Sequence, residues 1–216
     1  MELVRRGLVV YTFGNASGIL RGEDVVAIKP SGVPYEQLRP EDLVVVRLDG
    51  TRVEGKMRPS SDLPTHLVLY RAFASIGGIV HTHSTFATSW AQAGREIPCF
   101  GTTHADYFHG PVPVTPPLEA RDIEGDYEAR TGDVIVGRFE NLDPVRIPAV
   151  LVHGHAPFCW GPKAADAAHL AVLLEEIARM ACYTVTVNAG ARPIAQALHD
   201  KHFLRKHGPA RTYGQP

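Results

Sequence analysis

Three things are scarce in this chain of 216 residues: cysteine, an excess of charge of either sign, and long apolar runs. The three cysteines are odd in number and widely spaced, which excludes a zinc ribbon and a CxxC redox pair. Lysine and arginine number 22 against 23 aspartates and glutamates, and no basic stretch is long enough to suggest a nucleic-acid partner. The apolar runs are too short to span a bilayer, so we expect no membrane partner.

The amino-terminal residues Met1 to Arg6 lack the apolar core of a signal peptide, so we expect a cytoplasmic protein. The length suits a single domain, 1–216, and no linker or internal repeat divides it. In a reducing compartment Cys99, Cys159 and Cys182 are expected to be free thiols in packed positions. Histidines stand just before Cys159, so a nucleophilic role for that thiol is the alternative.

Short apolar runs bounded by glycine and proline indicate buried strands, and helical patterns fall between and after them. Strands mixed with helices without strict alternation indicate an α/β layered domain. The strands are predicted at 8–13, 25–28, 43–47, 78–82, 134–137 and 149–152. The helices are predicted at 62–73, 85–93, 163–184 and 193–206. The segment 111–125 is predicted to be a functional loop because it is long and rich in proline and charge.

Histidine is abundant, with eleven residues, and two pairs invite a search for metal ligands. His81 and His83 end a predicted strand, and strand alternation points both side chains to one face. Two imidazoles placed in this way form half of a tetrahedral zinc site, although two solvated histidines at a strand end fit equally well. His153 and His155 follow another strand with Gly154 between them. We expect one of that pair to complete a three-ligand catalytic site and the other to be structural.

Three further segments suit an anion. Ser60, Ser61 and Asp62 stand at the start of a predicted helix, where free N–H groups and the helix dipole favour phosphate. Asp62 is either the N-cap of that helix, a group near the metal, or a base. The stretches 13–17 and 28–32 are interpreted as glycine-containing turns with anion-binding N–H groups or as ordinary turns.

Two polar segments remain. The stretch 101–108 is unlike an ordinary hairpin loop, and the stretch 201–208, with Tyr213 beyond it, is dense in titratable groups. The second stretch is typical of a solvated basic helix end, since lysine and arginine are favourable there.

These segments together resemble the class II aldolase/epimerase family, and the resemblance covers nearly the whole chain. Two features favour its epimerase branch over its aldolases, namely Asp62 in place of a glutamate and the stretch Thr-Thr-His-Ala-Asp-Tyr at 102–107. The resemblance lies in seven segments that occur in the family's order: 14–17, 29–32, 59–66, 77–84, 101–108, 152–161 and 200–208.

The resemblance implies a central, mainly antiparallel sheet with helices on both sides, and a four-fold symmetric homotetramer with active sites between neighbouring subunits. It implies one Zn²⁺ per subunit held by His81, His83 and His155 with Asp62 close by, and it leaves His153 structural. It places the phosphate of the substrate on Asn15, Lys29, Ser31, Gly32, Ser60 and Ser61. It matches Asp106 and Tyr213 to an acid/base pair. Residues that line or support the site are matched to Thr102, Glu128, His202 and Arg205.

The implied reaction is the zinc-dependent conversion of L-ribulose 5-phosphate to D-xylulose 5-phosphate. The hydrogen on C4 is not acidic, because C4 is not adjacent to the carbonyl, so inversion requires that the C3–C4 bond break and re-form. The alternatives within the family are an aldolase of the L-fuculose-1-phosphate type and an epimerase for another pentulose phosphate. A non-enzymatic module of the adducin kind should lack the metal ligands, and a zinc hydrolase should not need the phosphate pocket.

Overall fold

The computed structural model describes residues 1–209 and 211–212. Within them, one sheet of seven strands runs in the order β4-β3-β2-β1-β5-β7-β6, and every neighbouring pair is antiparallel. The predicted mainly antiparallel sheet is therefore confirmed. The strands are β1 (Asn15–Leu20), β2 (Val25–Ile28), β3 (Val44–Arg47), β4 (Arg52–Glu54), β5 (Gly78–His81), β6 (Ala149–Leu151) and β7 (Pro157–Gly161).

Eight α-helices lie among the described residues, and the four helices predicted from the sequence are all present. None of the described helices combines the length and the apolar character that crossing a membrane requires. The helices are α1 (Glu2–Arg5), α2 (Leu63–Ala72), α3 (Thr85–Gln92), α4 (Thr102–Ala105), α5 (Ala120–Glu124), α6 (Tyr127–Arg138), α7 (Ala164–Val187) and α8 (Gln196–His207). Two 3₁₀ turns cover Tyr35–Gln37 and Pro40–Asp42.

Two adjacent residues of β1 show that helices cover both faces of the sheet. Ser17 is hydrogen-bonded to His66 of α2 at 2.7 Å, whereas a Cβ atom at Gly18 would lie 3.7 Å from the Cβ atom of Ala164 in α7. Successive strand residues point to opposite faces, so α2 and α7 lie on opposite sides. The two-sided helical cover implied by the family resemblance is confirmed.

The core packs Cys159 as an inert residue. Cys159 is 1% exposed in β7, between Val80 of β5 and Ala149 of β6, and burial raises the pKa of its thiol far above the ordinary value. A thiolate is the nucleophilic form of cysteine, so this environment suppresses nucleophilic reactivity. The packed interpretation of Cys159 is therefore confirmed.

Three predictions of local structure are wrong. Residues 8–13 form no strand, because the chain turns at Tyr11, which has φ 53° and is 84% exposed, and the strand starts at Asn15. Asn15 and Ser17 are therefore not in a turn. Residues 134–137 lie in α6, where Thr131, Gly132 and Ile135 are buried at helical spacing. A run of three apolar residues is too short to separate strand from buried helix.

The segment 111–125 contains more order than a loop. Val112 and Val114 form isolated β-bridges with Ile97 and Leu151, and the segment ends in α5.

The strands β4 and β7 were not predicted from the sequence. β7 consists of the short run around Cys159, and its pairing with β5 depends on residues far away in the sequence.

Candidate active site

Three histidines gather at the end of the central strand β5. His81 is the last residue of β5, His83 follows shortly after it, and His155 lies in the turn between β6 and β7. One nitrogen from each ring lies within 4.8 Å of those of the other two. The ring centroids are 4.9 to 5.0 Å apart, so the three imidazoles form a nearly equilateral triangle.

The orientation of His81 is fixed by its neighbours. Its side chain is 1% exposed and its ring stacks on Phe158 at 4.2 Å between centroids. Its Nδ1 lies 2.9 Å from the carbonyl oxygen of Pro157, and because a carbonyl can only accept, Nδ1 carries the hydrogen. The lone pair of Nε2 is then free, and Nε2 lies 3.1 Å from Nε2 of His83. A backbone carbonyl that orients a metal-binding imidazole is the usual arrangement around such ligands.

The electrostatics favour neutral rings. Burial lowers the pKa of His81 and His155, partial desolvation lowers that of the more exposed His83, and the proximity of the other histidines lowers those of His81 and His155 further. Metal ions bind the neutral imidazole, so these shifts keep the ligands ready at neutral pH. Three neutral imidazoles that converge on one point fit a zinc ion with an open coordination position.

Asp62 lies beside the histidines and occupies the N-cap position of α2. It precedes α2, but its side chain makes no capping hydrogen bond. Its Oδ2 instead accepts a hydrogen bond of 2.5 Å from the amide of Asn15 and lies 3.9 Å from Nε2 of His81. The N-cap alternative therefore holds for the position of Asp62 but not for its carboxylate, which adds negative charge at the edge of the histidine triangle.

Of the second histidine pair, only His155 reaches the cluster. The exposed ring of His153 packs on Gly94, where a Cβ atom would lie 2.6 Å from its Nε2. Its backbone N–H donates to Oγ1 of Thr115 at 3.1 Å. The turn at Gly154, with φ 70°, separates the two side chains as expected.

One cavity of about 410 Å³ joins the histidines to the segments predicted to bind phosphate. Lys29 lies at its wall and is 3% exposed, with its Nζ donating to the carbonyl of Pro30 at 3.2 Å. Burial lowers the pKa of Lys29. The other predicted residues that line this cavity are Asn15, Ser31, Gly32, Ser60, Ser61, Asp62 and Glu128.

Backbone contacts hold the two serine-containing segments together. The N–H of Ser60 donates to the carbonyl of Lys29 at 3.0 Å, and the N–H of Ser31 donates to that of Arg58 at 2.9 Å. Pro30 and Pro59 form an isolated antiparallel bridge. Gly32 has φ 70°, so the segment 28–32 is a turn, as predicted.

The approach of the chain to the strand end requires glycine at position 14. Gly14 has φ 75°, and a Cβ atom there would lie 2.7 Å from the carbonyl oxygen of His81. Any side chain would therefore force β1 away from β5 at the point where Asn15 is paired with His81.

Thr12 and Tyr127 line the cavity and were not identified from the sequence, whereas Phe13 was identified only as part of the stretch 13–17. The hydroxyl of Tyr127 lies 3.4 Å from Nδ1 of His155, and the ring of Phe13 stacks on His83 at 6.0 Å between centroids. Thr12 lies beside Phe13. Tyr127 begins α6, a helix that the apolar pattern did not reveal, and only the adjacent Glu128 was a signal.

A second polar cluster surrounds Asp106. Thr102 starts α4 and Asp106 directly follows its last residue, whereas His202 and Arg205 approach from α8. The Oδ1 atom of Asp106 lies 3.0 Å from Nδ1 of His202 and 3.0 Å from the Arg205 guanidinium, and Oδ2 lies 3.5 Å from Nζ of Lys206. The stretch 201–208 was interpreted as a solvated basic helix end, and that interpretation is therefore wrong.

The Asp106 carboxylate is kept ionised by these neighbours. Burial, which alone would raise its pKa, is outweighed by the His202 hydrogen bond and by the charges of Lys206 and Arg205, so the pKa of Asp106 lies below its usual range. Thr102, Asp106, His202 and Arg205 do not line the cavity of the three histidines within the described residues. Tyr213 lies outside the described residues.

Comparison with known proteins identifies the class. A family model described as Class II Aldolase and Adducin N-terminal domain matches residues 1–182. The chain therefore belongs to the class II aldolase and adducin family, which confirms the resemblance drawn from its motifs.

Named relatives match over the full chain. A protein named L-ribulose-5-phosphate 4-epimerase UlaF from Salmonella paratyphi A is 53% identical over 215 residues, which cover 100% of this chain and 94% of that protein. The protein of the same name from Salmonella typhi has the same identity and coverage.

Solved structures share the fold. An L-fuculose 1-phosphate aldolase has a TM-score of 0.78 at 24% identity, covering 93% of this chain and 89% of that one. An L-fuculose-1-phosphate aldolase from Thermus thermophilus has a TM-score of 0.68 at 25% identity, covering 89% of this chain and 93% of that one.

Proposed function

We propose that this protein is a zinc-dependent L-ribulose-5-phosphate 4-epimerase that forms D-xylulose 5-phosphate. The observation that carries the proposal is a single cavity with a cluster of three histidines that could hold a metal ion at one side and, at the other, the buried Lys29 beside two serine-containing segments. A phosphorylated sugar needs both groups. The full-length identity of 53% to a protein of that name supports the choice of substrate.

The chain's own residues suit cleavage and re-formation of the C3–C4 bond. His81, His83 and His155 would hold the zinc ion, which would supply Lewis-acid chemistry for this cleavage. Lys29 and the serine turns anchor the phosphate, so the aldehyde fragment stays in the cavity and can rotate to present its other face. Asn15 holds the Asp62 carboxylate toward the histidines, and we propose Asp62 as a further group near the metal.

Opposite faces of C4 need separate proton donors and acceptors for its oxygen. We assign these roles to Asp106 and Tyr213, and supporting roles to Thr102, Glu128, His202 and Arg205. The ionised state of Asp106 suits the acceptor role.

The assembly we propose is a homotetramer in which Asp106 and Tyr213 of one subunit face the histidines of its neighbour. The support is that Asp106 and its partners form an organised cluster away from the cavity of their own chain. We further propose that residues 1–216 act as one domain and that the protein is cytoplasmic. The three cysteines are free thiols, which is the form that a reducing compartment maintains.

A second candidate is an aldolase of the L-fuculose-1-phosphate type, which the shared fold favours. An epimerase for another pentulose phosphate would use the same site. Product analysis separates these functions, since an aldolase releases an aldehyde and a three-carbon fragment whereas an epimerase yields an inverted pentulose.

The test is incubation of the zinc-loaded protein with L-ribulose 5-phosphate. We expect chelator-sensitive formation of D-xylulose 5-phosphate, and readdition of zinc should restore it. Cleavage products alone would move the protein to the aldolases. Absence of any product from a fully metal-loaded protein would contradict the proposed substrate.

A further inference from the structure

The ammonium group of Lys29 is buried without a counter-ion among the described residues. Its side chain is 3% exposed, and its contacts are a hydrogen bond of 3.2 Å to the carbonyl of Pro30 and the face of the Tyr35 ring, 4.7 Å from Nζ to the ring centroid. An ammonium group has three hydrogens to donate, so hydrogen-bonding capacity remains for an anion in the cavity.

Tyr35 also contacts Phe13, which lines the histidine side of the cavity. Tyr35 starts a 3₁₀ turn, is 5% exposed, and donates its hydroxyl hydrogen to the carbonyl of Phe13 at 3.3 Å. Phe13 in turn stacks on His83, one of the three clustered histidines. One buried side chain therefore contacts the lysine with its ring and the Phe13 segment with its hydroxyl.

We propose that Tyr35 is a positioning residue that aims the Lys29 ammonium at the phosphate group and ties it to the Phe13 segment. This inference rests on the proposed phosphate pocket. An aromatic face attracts a cation through its quadrupole without carrying a charge. A carboxylate in the same place would neutralise Lys29 and compete with the substrate phosphate, whereas the ring leaves the full positive charge for the ligand.

The two contacts of Tyr35 can be separated by substitution. Tyr35→Phe keeps the ring and removes the hydroxyl, whereas Tyr35→Leu removes both. With inorganic phosphate as the probe, titration calorimetry on the zinc-loaded proteins should give an unchanged Kd for Tyr35→Phe and a Kd about tenfold weaker for Tyr35→Leu. Tyr35→Phe should lower kcat about threefold or more at unchanged phosphate affinity, because the Phe13 segment is no longer tied.

A second series guards against a folding defect in Tyr35→Leu. Phenylalanine, 4-fluorophenylalanine and 3,5-difluorophenylalanine at position 35 have similar shape but progressively weaker attraction for a cation. Phosphate affinity should fall in that order while the zinc content stays constant. A constant Kd along this series would overturn the role of Tyr35.

Lys29→Met is the control that isolates the proposed pocket from the role of Tyr35. If Lys29→Met loses phosphate binding and phosphate affinity falls along the fluorinated series, both the phosphate pocket and the positioning role of Tyr35 are supported. Undiminished binding in Lys29→Met would contradict the phosphate pocket itself. Loss in Lys29→Met with a flat fluorine series would contradict the positioning role alone.

Discussion

Among single residues, the three clustered histidines differ in how firmly they are held. His81 is enclosed, hydrogen-bonded through Nδ1 and stacked on Phe158, whereas His83 is exposed and contacts Phe13 and its fellow histidines. A fixed ligand lowers the entropy cost of metal binding, and an exposed one leaves access to the open coordination position. The cluster therefore combines a rigid base with an accessible edge.

Removal of one histidine should remove the metal. We expect His83→Asn to bind zinc at least about 100-fold more weakly, since loss of a ligand costs more than loss of an outer contact. Metal analysis after dialysis against a calibrated chelator measures this.

His153→Asn is the matched control, because His153 is also an exposed histidine after a strand but packs on Gly94. It should keep one zinc ion per chain. Full zinc content in His83→Asn would refute the assignment of that ligand.

The carboxylate of Asp106 should matter for turnover and not for metal content. We expect Asp106→Asn to lower kcat by about 10²- to 10⁴-fold, the usual contribution of a positioned acid or base. Steady-state kinetics and zinc analysis on the same preparation check both halves.

Asp200→Asn serves as the comparison for Asp106→Asn. Asp200 also links α8 to the segment after α4, through a contact of 2.7 Å with His109, so it reports on that packing without touching Asp106. Equal losses of activity in the two variants would indicate that packing, and not proton transfer, explains the effect.

The sequence predicted the titratable residues of the site better than their surroundings. His81 and His83 could be identified because a strand alternates its side chains, and Gly154 indicated that His153 and His155 diverge. Residue spacing gave no reason to choose His155 over His153, and the choice came from the family resemblance. Tyr35 and Tyr127 were missed because aromatic residues in a sequence resemble core residues until their contacts are known.

Among the elements, α2 and α6 pack unusually closely at Gly132. A Cβ atom at Gly132 would lie 2.6 Å from the Cβ atom of Val68, so no side chain fits between the helices. We expect Gly132→Ala to destabilise the fold by about 1–3 kcal/mol through overpacking.

Gly137→Ala in the same helix has the opposite expected sign. Nothing lies within 4 Å of a Cβ atom at Gly137, so alanine should stabilise by about 0.5–1 kcal/mol through helix propensity. Chemical denaturation of both variants tests the pair. Similar shifts of the same sign would contradict the close packing of α2 on α6.

The short helix α4 contains a histidine whose burial links stability to pH. His104 donates from Nε2 to the carbonyl of Gly110 at 2.8 Å, and its Nδ1 has no hydrogen-bond partner among the described residues. Burial lowers the pKa of His104 to about 4, against 6.5 for an ordinary histidine. Between pH 6.5 and about 4, His104 is therefore protonated in the unfolded chain but mostly neutral in the folded chain.

The contribution of His104 is fully present above pH 6.5 and is lost as the pH falls from 6.5 toward 4. The limiting slope for one such group is about 1.4 kcal/mol per pH unit. In His104→Gln the slope of the unfolding free energy against pH should be smaller by up to this amount. If the unfolding free energies of wild type and His104→Gln change with pH in parallel, the proposed contribution of His104 is contradicted.

Elements with a clear residue pattern were the most predictable. Helix α7 repeats its apolar residues over many turns, so its period was unambiguous, and the short strands β2 and β3 are rich in β-branched residues. The edge strand β4 has three exposed residues, so it carries no apolar pattern at all. In 8–13, a positive φ at Tyr11 interrupts an otherwise strand-like run, and this backbone detail leaves no signature in residue type.

At the scale of the whole molecule, the proposed sharing of active sites between subunits predicts complementation between inactive variants. In the proposed arrangement, His83→Asn would lack the metal side of its own site, and Asp106→Asn would lack the acid/base side of the neighbouring one. If they are co-expressed in equal amounts in a closed ring, about one quarter of the sites combine an intact histidine cluster with an intact Asp106.

We therefore expect activity to return to roughly that fraction of wild type, although each variant alone is nearly inactive. Mass spectrometry of intact assemblies verifies that the subunits mix. Mixed assemblies without restored activity would place both halves of the site in one subunit, or remove Asp106 from the mechanism.

The position of β5 between β1 and β7 also determines when the histidines can meet. Both partners of β5 are distant from it in the chain, so each pairing must first close a long loop, and such pairings form late in folding. We therefore expect His155 to join His81 and His83 only after β7 has paired with β5. During refolding, we expect metal uptake to follow that pairing and not to precede it.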